Sequence, residues 1–318
     1  MIRPAFDVVL FDIDNVLIDT RASYLTAIQK TVEIYLNRPG ILSLKEIDQF
    51  KLLGGFNDDW DSCYGIITFL ETALQGKPVR FGDHRRQRVS IAELKDLCPQ
   101  RPLGIRGLLK RLKVLYKRVE TPSYKKVAKI FQEVYWKKPG LVKKERLIFS
   151  RSLLEKIHNE GVRFGIVTGR NRIEARYALK RFGILDLFDA IVTIDDVRKE
   201  EKKRGLVLRK PHPWPILEAA RRLPPLPSLS PQRGERISAK GGSASGGKGE
   251  GGKSLHFLYV GDLPDDILTA TRAKKMISIR SVAFSKFSRD AEATMRELKK
   301  VKPDYFLKKP EDLSRLLK

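Results

Sequence analysis

Two aspartates near the start of the chain, Asp12 and Asp14, have the spacing to hold a cation or to act on a phosphate ester. They follow an apolar run at residues 7–11. Such a run is typical of a strand buried on both faces in a parallel sheet. Residues two apart on extended backbone project to the same side, so the two carboxylates lie together. A hard ion such as Mg²⁺ prefers oxygen ligands and often bridges protein carboxylates to a phosphate. Turn residues at a strand end can show the same spacing, so the pair alone leaves both interpretations open.

A second acidic cluster ends another apolar run. Residues 256–260 are followed by Gly261-Asp262-Leu263-Pro264-Asp265-Asp266. If both runs are strands of one parallel sheet, their carboxyl ends lie at the same edge and bring Asp262 and Asp266 near Asp12. The cluster therefore predicts further ligands for the same cation, although alone it is an ordinary turn sequence.

Two further segments offer groups that can bind a phosphoryl group. Thr168 ends the apolar run 163–168 and Gly169 follows it, and Lys210 precedes Pro211. A hydroxyl, free backbone N–H groups and an ammonium suit phosphoryl transfer, which depends on positioning and on neutralising charge. Each signal is weak by itself, because a Thr at a strand end usually caps the next element and Lys210 is one of 63 basic residues.

The elements around these residues predict an α/β fold. Residues 7–11, 163–168, 190–194 and 256–260 are predicted strands, and 171–182 has the apolar spacing of a helix that ends before Gly183. Strands alternating with helices indicate a doubly wound, Rossmann-like parallel sheet. Ligands bind such sheets beyond the carboxyl ends of the strands, where all the residues above fall.

A helical segment interrupts this core after the first strand. Residues 22–35, 43–53, 57–74 and 122–136 have helical patterns, and we expect them to form a lid over the strand ends. We therefore predict a discontinuous core at 1–20 and 147–318 and an inserted α-helical cap at 21–146. Residues 223–254 are a low-complexity stretch within the core, and we predict disorder there because it cannot bury a core of its own.

Composition limits the compartment and the partners. The chain has 318 residues, a net charge of +25 and two cysteines. It shows no signal-peptide core and no apolar run long enough for a membrane span, so we expect a cytoplasmic protein without membrane association. The oligomeric state has no signal in the sequence.

The basic charge is concentrated at residues 101–146. That segment contains 15 Lys or Arg against three Glu, a local charge of +12. A field of this sign attracts anionic substrates and nucleic acid, although a solvated helical surface explains it as well. No nucleic-acid-binding motif is visible, and failure to bind a labelled oligonucleotide at low salt would end that hypothesis.

In this order and spacing, the four motifs resemble the haloacid dehalogenase superfamily, and the helical insertion looks like the cap of its phosphoglycolate phosphatase-like subfamily. The resemblance implies that Asp12 attacks phosphorus to form an aspartyl-phosphate and that Asp14 acts as general acid and base. It assigns the remaining roles as follows: Thr168, Gly169 and Lys210 bind phosphoryl oxygens; Asp12, the backbone carbonyl of Asp14 and Asp262 hold Mg²⁺; Asp266 is an outer or alternative ligand.

The sequence departs from the common pattern at Asn15, where Gly is usual, but Asn tolerates left-handed backbone. Arg170 could hold a substrate carboxylate or second phosphate, or it could form a structural ion pair. The segment from Gly54 to Asp58 could be a substrate-binding loop that uses Asn57 and Asp58, or a plain interhelical turn with an N-cap.

These observations predict a Mg²⁺-dependent phosphatase that hydrolyses the phosphate monoester of a small, anionic metabolite. A phosphomutase would share the first step but return the phosphoryl group to substrate. A basic nucleic-acid-binding protein, or a phosphatase of polynucleotide ends, is the alternative suggested by the +12 segment.

Overall fold

The structure, a computed structural model, describes residues 4–56, 58–75, 91, 94, 103–116, 118–137, 140–224, 255–288 and 290–318. Its main sheet consists of parallel strands β1 (Val8–Phe11), β4 (Arg163–Val167), β5 (Phe188–Val192), β6 (Phe257–Gly261), β7 (Ile279–Ala283) and β8 (Tyr305–Phe306). Their order across the sheet is β5-β4-β1-β6-β7-β8. Strands β2 (Ile18–Asp19) and β3 (Arg146–Leu147) form a separate antiparallel pair.

Helices surround the sheet and form the insertion. Between β2 and β3 lie α1 (Tyr24–Leu36), α2 (Leu44–Lys51), α3 (Asp59–Gln75), α4 (Gly104–Leu115) and α5 (Tyr124–Trp136). The core contains α6 (Arg151–Asn159), α7 (Arg172–Arg181), α8 (Ile194–Arg204), α9 (Trp214–Arg222), α10 (Pro264–Ala273), α11 (Ala291–Lys300) and α12 (Asp312–Leu316). Short 3₁₀ helices cover Leu141–Lys144 and Leu185–Leu187.

Strand β1 is apolar throughout because helices cover both faces of the sheet. Val9 and Phe11 belong to one hydrophobic cluster with Leu154 of α6 and Leu179 of α7. Val8 and Leu10 belong to another, which includes apolar residues of α9 and α10 (Ile216, Ala219, Ala270, Ala273). The predicted fold class, a doubly wound parallel sheet with an inserted helical cap, is confirmed.

The inserted helices pack around a hydrophobic cluster of their own. Each of the five helices contributes a buried side chain to this cluster, in order from α1 to α5: Ile28, Phe50, Ile66, Leu112 and Phe131. The chain leaves the core through β2 and returns through β3, where Ile18 pairs with Leu147. On this basis we propose residues 21–146 as the cap.

The structure differs from the prediction mainly in the second half of the sheet, where β7 and β8 had no predicted strand. Exposed Arg280 and buried Ser281 interrupt the apolar character of β7, and β8 has only two residues. Strand β5 also begins two residues before the predicted position, at Phe188.

The low-complexity stretch is almost entirely outside the described residues, since 225–254 are not among them. Its first two residues belong to the core: Leu223 is buried, and the Pro224 carbonyl accepts a hydrogen bond from Arg163. Within the described part of the chain, no helix is both long and apolar enough to cross a bilayer.

Candidate active site

The three central strands of the sheet end next to one another, and a polar residue follows each. Asp12 follows β1, Thr168 follows β4 and Asp262 follows β6. Because β4, β1 and β6 are neighbours in the sheet, their carboxyl ends form one rim. Strands β4 and β5 lie on one side of β1 and β6 to β8 on the other, so this rim is at the topological switch point of the sheet. The local sequence of each strand is thus enough to place its terminal side chain at this rim.

Lys210 enters this rim from the segment between α8 and α9. Its Nζ lies 3.2 Å from Asp12 Oδ1 and 2.8 Å from Asp266 Oδ1. Burial raises the pKa of Asp12 to about 7, the Lys210 charge lowers it, and the Asp266 and Asp14 carboxylates raise it. Burial opposes the charge on Lys210, but the two aspartates raise its pKa above the ordinary value. The ammonium therefore offsets part of the negative charge around Asp12.

Three carboxylates at the rim could hold a cation. Asp12, Asp262 and Asp266 each have an oxygen within 4.8 Å of the others, and all three are buried. Burial, followed by the Asp266 and Asp12 charges, raises the pKa of Asp262 well above its ordinary value. One ammonium cannot neutralise three buried carboxylates, and oxygen donors are what a hard divalent ion prefers. The residues present therefore fit a hard divalent cation, the class of ion to which Mg²⁺ belongs.

Asp266 differs from the other two carboxylates in its hydrogen bonds. Its Oδ1 accepts from the Tyr259 hydroxyl at 2.9 Å and faces Lys210, and its Oδ2 accepts from the Leu263 N–H at 3.0 Å. Since both oxygens are engaged, Asp266 has the geometry of an outer residue that orients Lys210. Asp12 and Asp262 are freer to bind an ion.

The turn after β1 depends on Asn15, which adopts a left-handed φ of 55°. The expectation that Asn tolerates this backbone is confirmed. The side chain also holds its surroundings together, because Nδ2 donates to Asp262 Oδ2 at 3.3 Å and Oδ1 accepts from the Thr20 hydroxyl at 3.1 Å. Asn15 thereby links the turn to the second acidic motif, which a Gly could not do.

Thr168 has the arrangement of a phosphoryl-binding hydroxyl. It is buried, and its Oγ1 accepts from the backbone N–H of Arg170 at 3.2 Å. Among the described residues its O–H has no acceptor, so the proton is available to a phosphoryl oxygen. Gly169 lines one cleft together with Asp12 and another together with Lys210.

Arg170 lies in a buried ion-pair network. Its Nε and Nη2 donate to Asp14 Oδ1 at 3.0 and 2.8 Å, and Nη2 also donates to Glu145 Oε1 at 2.9 Å. Burial opposes the guanidinium charge, but Asp14 and then Glu145 raise the pKa of Arg170 well above its ordinary value. These contacts support the ion-pair interpretation of Arg170.

The cap contributes a cation that the sequence did not single out. Lys51, at the end of α2, lines a cleft together with Asp12, Asp14 and Asp262. Its Nζ lies 2.6 Å from Asp59 Oδ1. Burial opposes its charge, while Asp59, Asp14 and Asp262 raise its pKa. The only sequence signal was its place three residues before the Gly54-Gly55 pair.

The loop after α2 makes direct contact with the rim. Gly54 and Gly55 have φ of 78° and 76°, and the Gly55 N–H donates to Asp265 Oδ2 at 2.6 Å. Burial raises the pKa of Asp265 to about 7, although this hydrogen bond lowers it. The glycines therefore let the cap backbone approach the core closely.

Asp58 is occupied by contacts within the protein. Its Oδ1 accepts from the Trp60 N–H at 2.9 Å at the start of α3, and its Oδ2 pairs with Arg198 of α8. These contacts support the interpretation of an interhelical turn with an N-cap. Asn57, the other residue predicted for this loop, lies outside the described residues.

Comparison with known proteins gives a family and a fold. The family model for haloacid dehalogenase-like hydrolases matches residues 6–274. A Caldanaerobacter subterraneus protein that carries the name pyrophosphatase PpaX is 32% identical over 168 residues, 53% of this chain and 55% of that protein. A phosphoglycolate phosphatase of Cereibacter sphaeroides is 34% identical over 136 residues, 41% of this chain and 55% of that protein. The chain thus spans about half the length of the curated relatives it matches.

Solved structures share the fold. Phosphatase Tt82 from Thermococcus thioreducens aligns over 92% of this chain and 99% of its own, with a TM-score of 0.53 and 20% identity. A hydrolase from Pseudomonas syringae aligns over 97% and 96%, with a TM-score of 0.51 and 18% identity.

Proposed function

Because the chain belongs to the haloacid dehalogenase-like hydrolase family, we propose that it is a Mg²⁺-dependent phosphatase that hydrolyses phosphate monoesters through an intermediate on Asp12. The observation that carries the proposal is the position of Asp12 at the rim. It lies at the end of the central strand, 3.2 Å from an ammonium and within 4.8 Å of two further carboxylates. A carboxylate in such a place is suited to attack phosphorus.

The first half of the reaction would use Asp12 and Asp14. An Asp12 oxygen forms a bond to phosphorus while the bond between phosphorus and the leaving oxygen breaks. The leaving oxygen takes the bonding electron pair and a proton from Asp14. Thr168 and the backbone N–H of Gly169 would donate to phosphoryl oxygens, and Lys210 would offset the charge that accumulates near Asp12.

The second half would use the same residues with water. Asp14, now a carboxylate, takes a proton from a water molecule whose oxygen attacks the phosphorus of the aspartyl-phosphate. The bond to Asp12 breaks, inorganic phosphate is released and Asp14 is again protonated. The enzyme therefore returns to its starting state, and the cycle consumes only the ester and one water molecule.

Mg²⁺ would be held by Asp12 and Asp262, with the backbone carbonyl of Asp14, and Asp266 would support this set from outside through Lys210. When bound, the ion would supply charge neutralisation between the phosphoryl group and the nucleophile. The net negative charge of the three buried carboxylates and Lys210 supports this assignment.

The substrate that we propose is a small phosphate monoester with a second anionic group on its leaving part. Lys51 supports this class because it places a cation on the cap side of the cleft, opposite the rim. Its partner Asp59 uses one of the three ammonium donors. The remaining donors can bind a carboxylate or phosphate of the substrate. We propose that the enzyme acts in the cytoplasm, where such metabolites occur.

A phosphate-release screen tests the function. Small phosphate esters are incubated with the full chain, with and without Mg²⁺, beside the Asp12→Asn variant and the Glu292→Gln control on the exposed face of α11. We expect turnover that needs Mg²⁺, is lost in Asp12→Asn and is kept in the control. Undiminished turnover in Asp12→Asn would disprove the mechanism.

Two further readouts narrow the chemistry. Inorganic phosphate released in proportion to substrate loss distinguishes a phosphatase from a phosphomutase. Mass spectrometry of acid-quenched enzyme is expected to find the phosphoryl group on the peptide that contains Asp12.

A further inference from the structure

We propose that Arg170 is a positioning residue that holds the Asp14 carboxylate in place, and that Glu145 ties this contact to the segment joining the cap to the core. The inference rests on the proposed function, in which Asp14 gives a proton to the leaving group and later takes one from water. Arg170 takes no direct part in those proton transfers, so its role goes beyond the proposed mechanism.

The Arg170 guanidinium anchors one oxygen of Asp14. Both Nε and Nη2 donate to Oδ1, at 3.0 and 2.8 Å. Among the described residues, no hydrogen bond engages Oδ2, and 21% of the Asp14 side chain is exposed in the cleft that also contains Asp12. One oxygen is therefore fixed, while the other can exchange a proton with a substrate oxygen or a water molecule.

Arg170 is itself held rigidly. Its side chain is 0% exposed, its Cζ lies 4.6 Å from the centre of the Tyr24 ring, and Nη2 donates to Glu145 Oε1 at 2.9 Å. A planar guanidinium fixed at several points transmits its position to Asp14. A lysine at the same place would keep the charge but could not present the same fork of donors.

Glu145 connects this pair to the cap. Its Oε1 also accepts from the Tyr135 hydroxyl of α5 at 2.9 Å and from Ser23, just before α1, at 3.3 Å. It directly precedes β3, the strand on which the chain returns from the cap. A displacement of the cap helices would move the partners of Glu145, so Asp14 is held in place only when this joining segment is in position.

The chemical consequence depends on the leaving group. When the bond to phosphorus breaks, a strongly basic leaving oxygen needs the Asp14 proton, whereas a weakly basic one departs as an anion. Misplacing Asp14 should therefore slow the first half of the reaction more for the ester of a basic alcohol or phenol than for the ester of an acidic phenol. A purely structural arginine would slow both equally.

The test compares phenyl phosphate with 4-nitrophenyl phosphate, two esters of similar size whose leaving groups differ in basicity. For Arg170→Gln we expect kcat/KM, which reports the breaking of the bond to the leaving group, to fall about 10²-fold on phenyl phosphate and less than about 10-fold on 4-nitrophenyl phosphate. Hydrolysis of the aspartyl-phosphate is common to both esters and does not alter kcat/KM. Arg170→Lys should recover part of the loss, and Arg176→Gln, an exposed residue of α7, should match the wild type.

Glu145→Gln keeps the shape of the side chain and should show the same dependence on leaving group with a smaller loss, so it carries the test if Arg170→Gln does not fold. Equal losses of kcat/KM on the two esters, or no loss in either variant, would overturn the role of Arg170 without contradicting the proposed phosphatase activity. If the wild-type chain hydrolyses neither these two esters nor any ester of the phosphate-release screen, or if Asp12→Asn hydrolyses both at the wild-type rate, the proposed function fails and this inference fails with it.

Discussion

Lys210 Nζ lies 3.2 Å from Asp12 Oδ1, with both side chains buried. A buried pair interacts more strongly than an exposed one, since little water screens the charges. The ammonium therefore favours the ionised form of Asp12, whose pKa burial would otherwise raise further. Asp266 also contacts Lys210, at 2.8 Å, which helps to keep the ammonium beside Asp12.

Lys210→Met should lower kcat/KM by about 10²–10³-fold, because the ammonium no longer offsets charge at Asp12 and the phosphoryl group. Steady-state hydrolysis of 4-nitrophenyl phosphate, beside a thermal unfolding curve, measures the effect. Lys202→Met, at an exposed position of α8, is the matched control. A loss below about 3-fold would contradict this role for Lys210.

Lys51→Met should change which substrates are accepted. For an ester with a second anionic group, we expect KM to rise about 10-fold or more, because one charge-assisted contact of about 1.5–3 kcal/mol is lost. Esters with a neutral leaving group should keep their KM. Equal changes in KM for both kinds of ester would show that Lys51 does not contact the leaving group. Lys45→Met, an exposed lysine of the same helix, is the control.

Substitutions of Asn15 should separate its backbone role from its side-chain role. Asn15→Ala should lower the free energy of unfolding by about 1–2 kcal/mol, since alanine is strained at this left-handed φ. Asn15→Gly should lose less stability, yet both variants should weaken Mg²⁺ binding because Asp262 loses its Asn15 partner. Urea unfolding and Mg²⁺ titration measure the two effects.

Asn37 provides a matched control for Asn15, because it also has a left-handed φ, 50°, but lies at the end of α1. Asn37→Ala should show a similar loss of stability without any change in Mg²⁺ binding. If the Asn15 variants bind Mg²⁺ as the wild type does, its contact with Asp262 is unimportant for the ion.

Asp265 should make the stability of the wild-type protein depend on pH. Its pKa is raised from 3.8 to about 7 by burial, so the folded state holds a proton that the unfolded state releases. This contribution is present below about pH 4 and is lost as the pH rises through about 7. Asp265→Asn removes the effect and should stabilise the protein at pH 8 by roughly 2–4 kcal/mol relative to wild type.

Thermal unfolding in metal-free buffer between pH 5 and 8 checks this prediction, because the difference between variant and wild type should grow with pH. Asp304 is the control of opposite sign: burial opposes its charge, but its hydrogen bond from Lys274 lowers its pKa. Asp304→Asn should therefore be less stable than wild type above about pH 4. Parallel pH curves for Asp265→Asn and wild type would contradict the prediction.

Nucleic-acid binding by the basic segment at residues 101–146 stays a prediction. Exposed bases lie on α4 and α5, among them Lys110, Lys113, Lys125 and Lys129. Titration of a fluorescent oligonucleotide at low and at physiological salt decides whether this charge binds nucleic acid or only raises the local concentration of small anions.

The sequence was sufficient for the central strands and for the residues at their ends. A strand buried on both faces must be apolar throughout, and the chain becomes polar again where it leaves the sheet. Asp12, Thr168 and Asp262 could therefore be placed at one rim from local patterns and motif order. Strands β7 and β8 could not, because one is interrupted by Arg280 and Ser281 and the other is too short to show a period.

Contacts between the cap and the core were decided only by the tertiary structure. Lys51 looked like any other lysine, and Arg170 was open to two interpretations until Asp14 and Glu145 were found on either side of it. Such pairings depend on how the cap sits over the rim, which is set by packing between distant segments. A local sequence pattern contains no information about that placement, so it can indicate Asp12 as the candidate nucleophile but not the residues that contact Asp14.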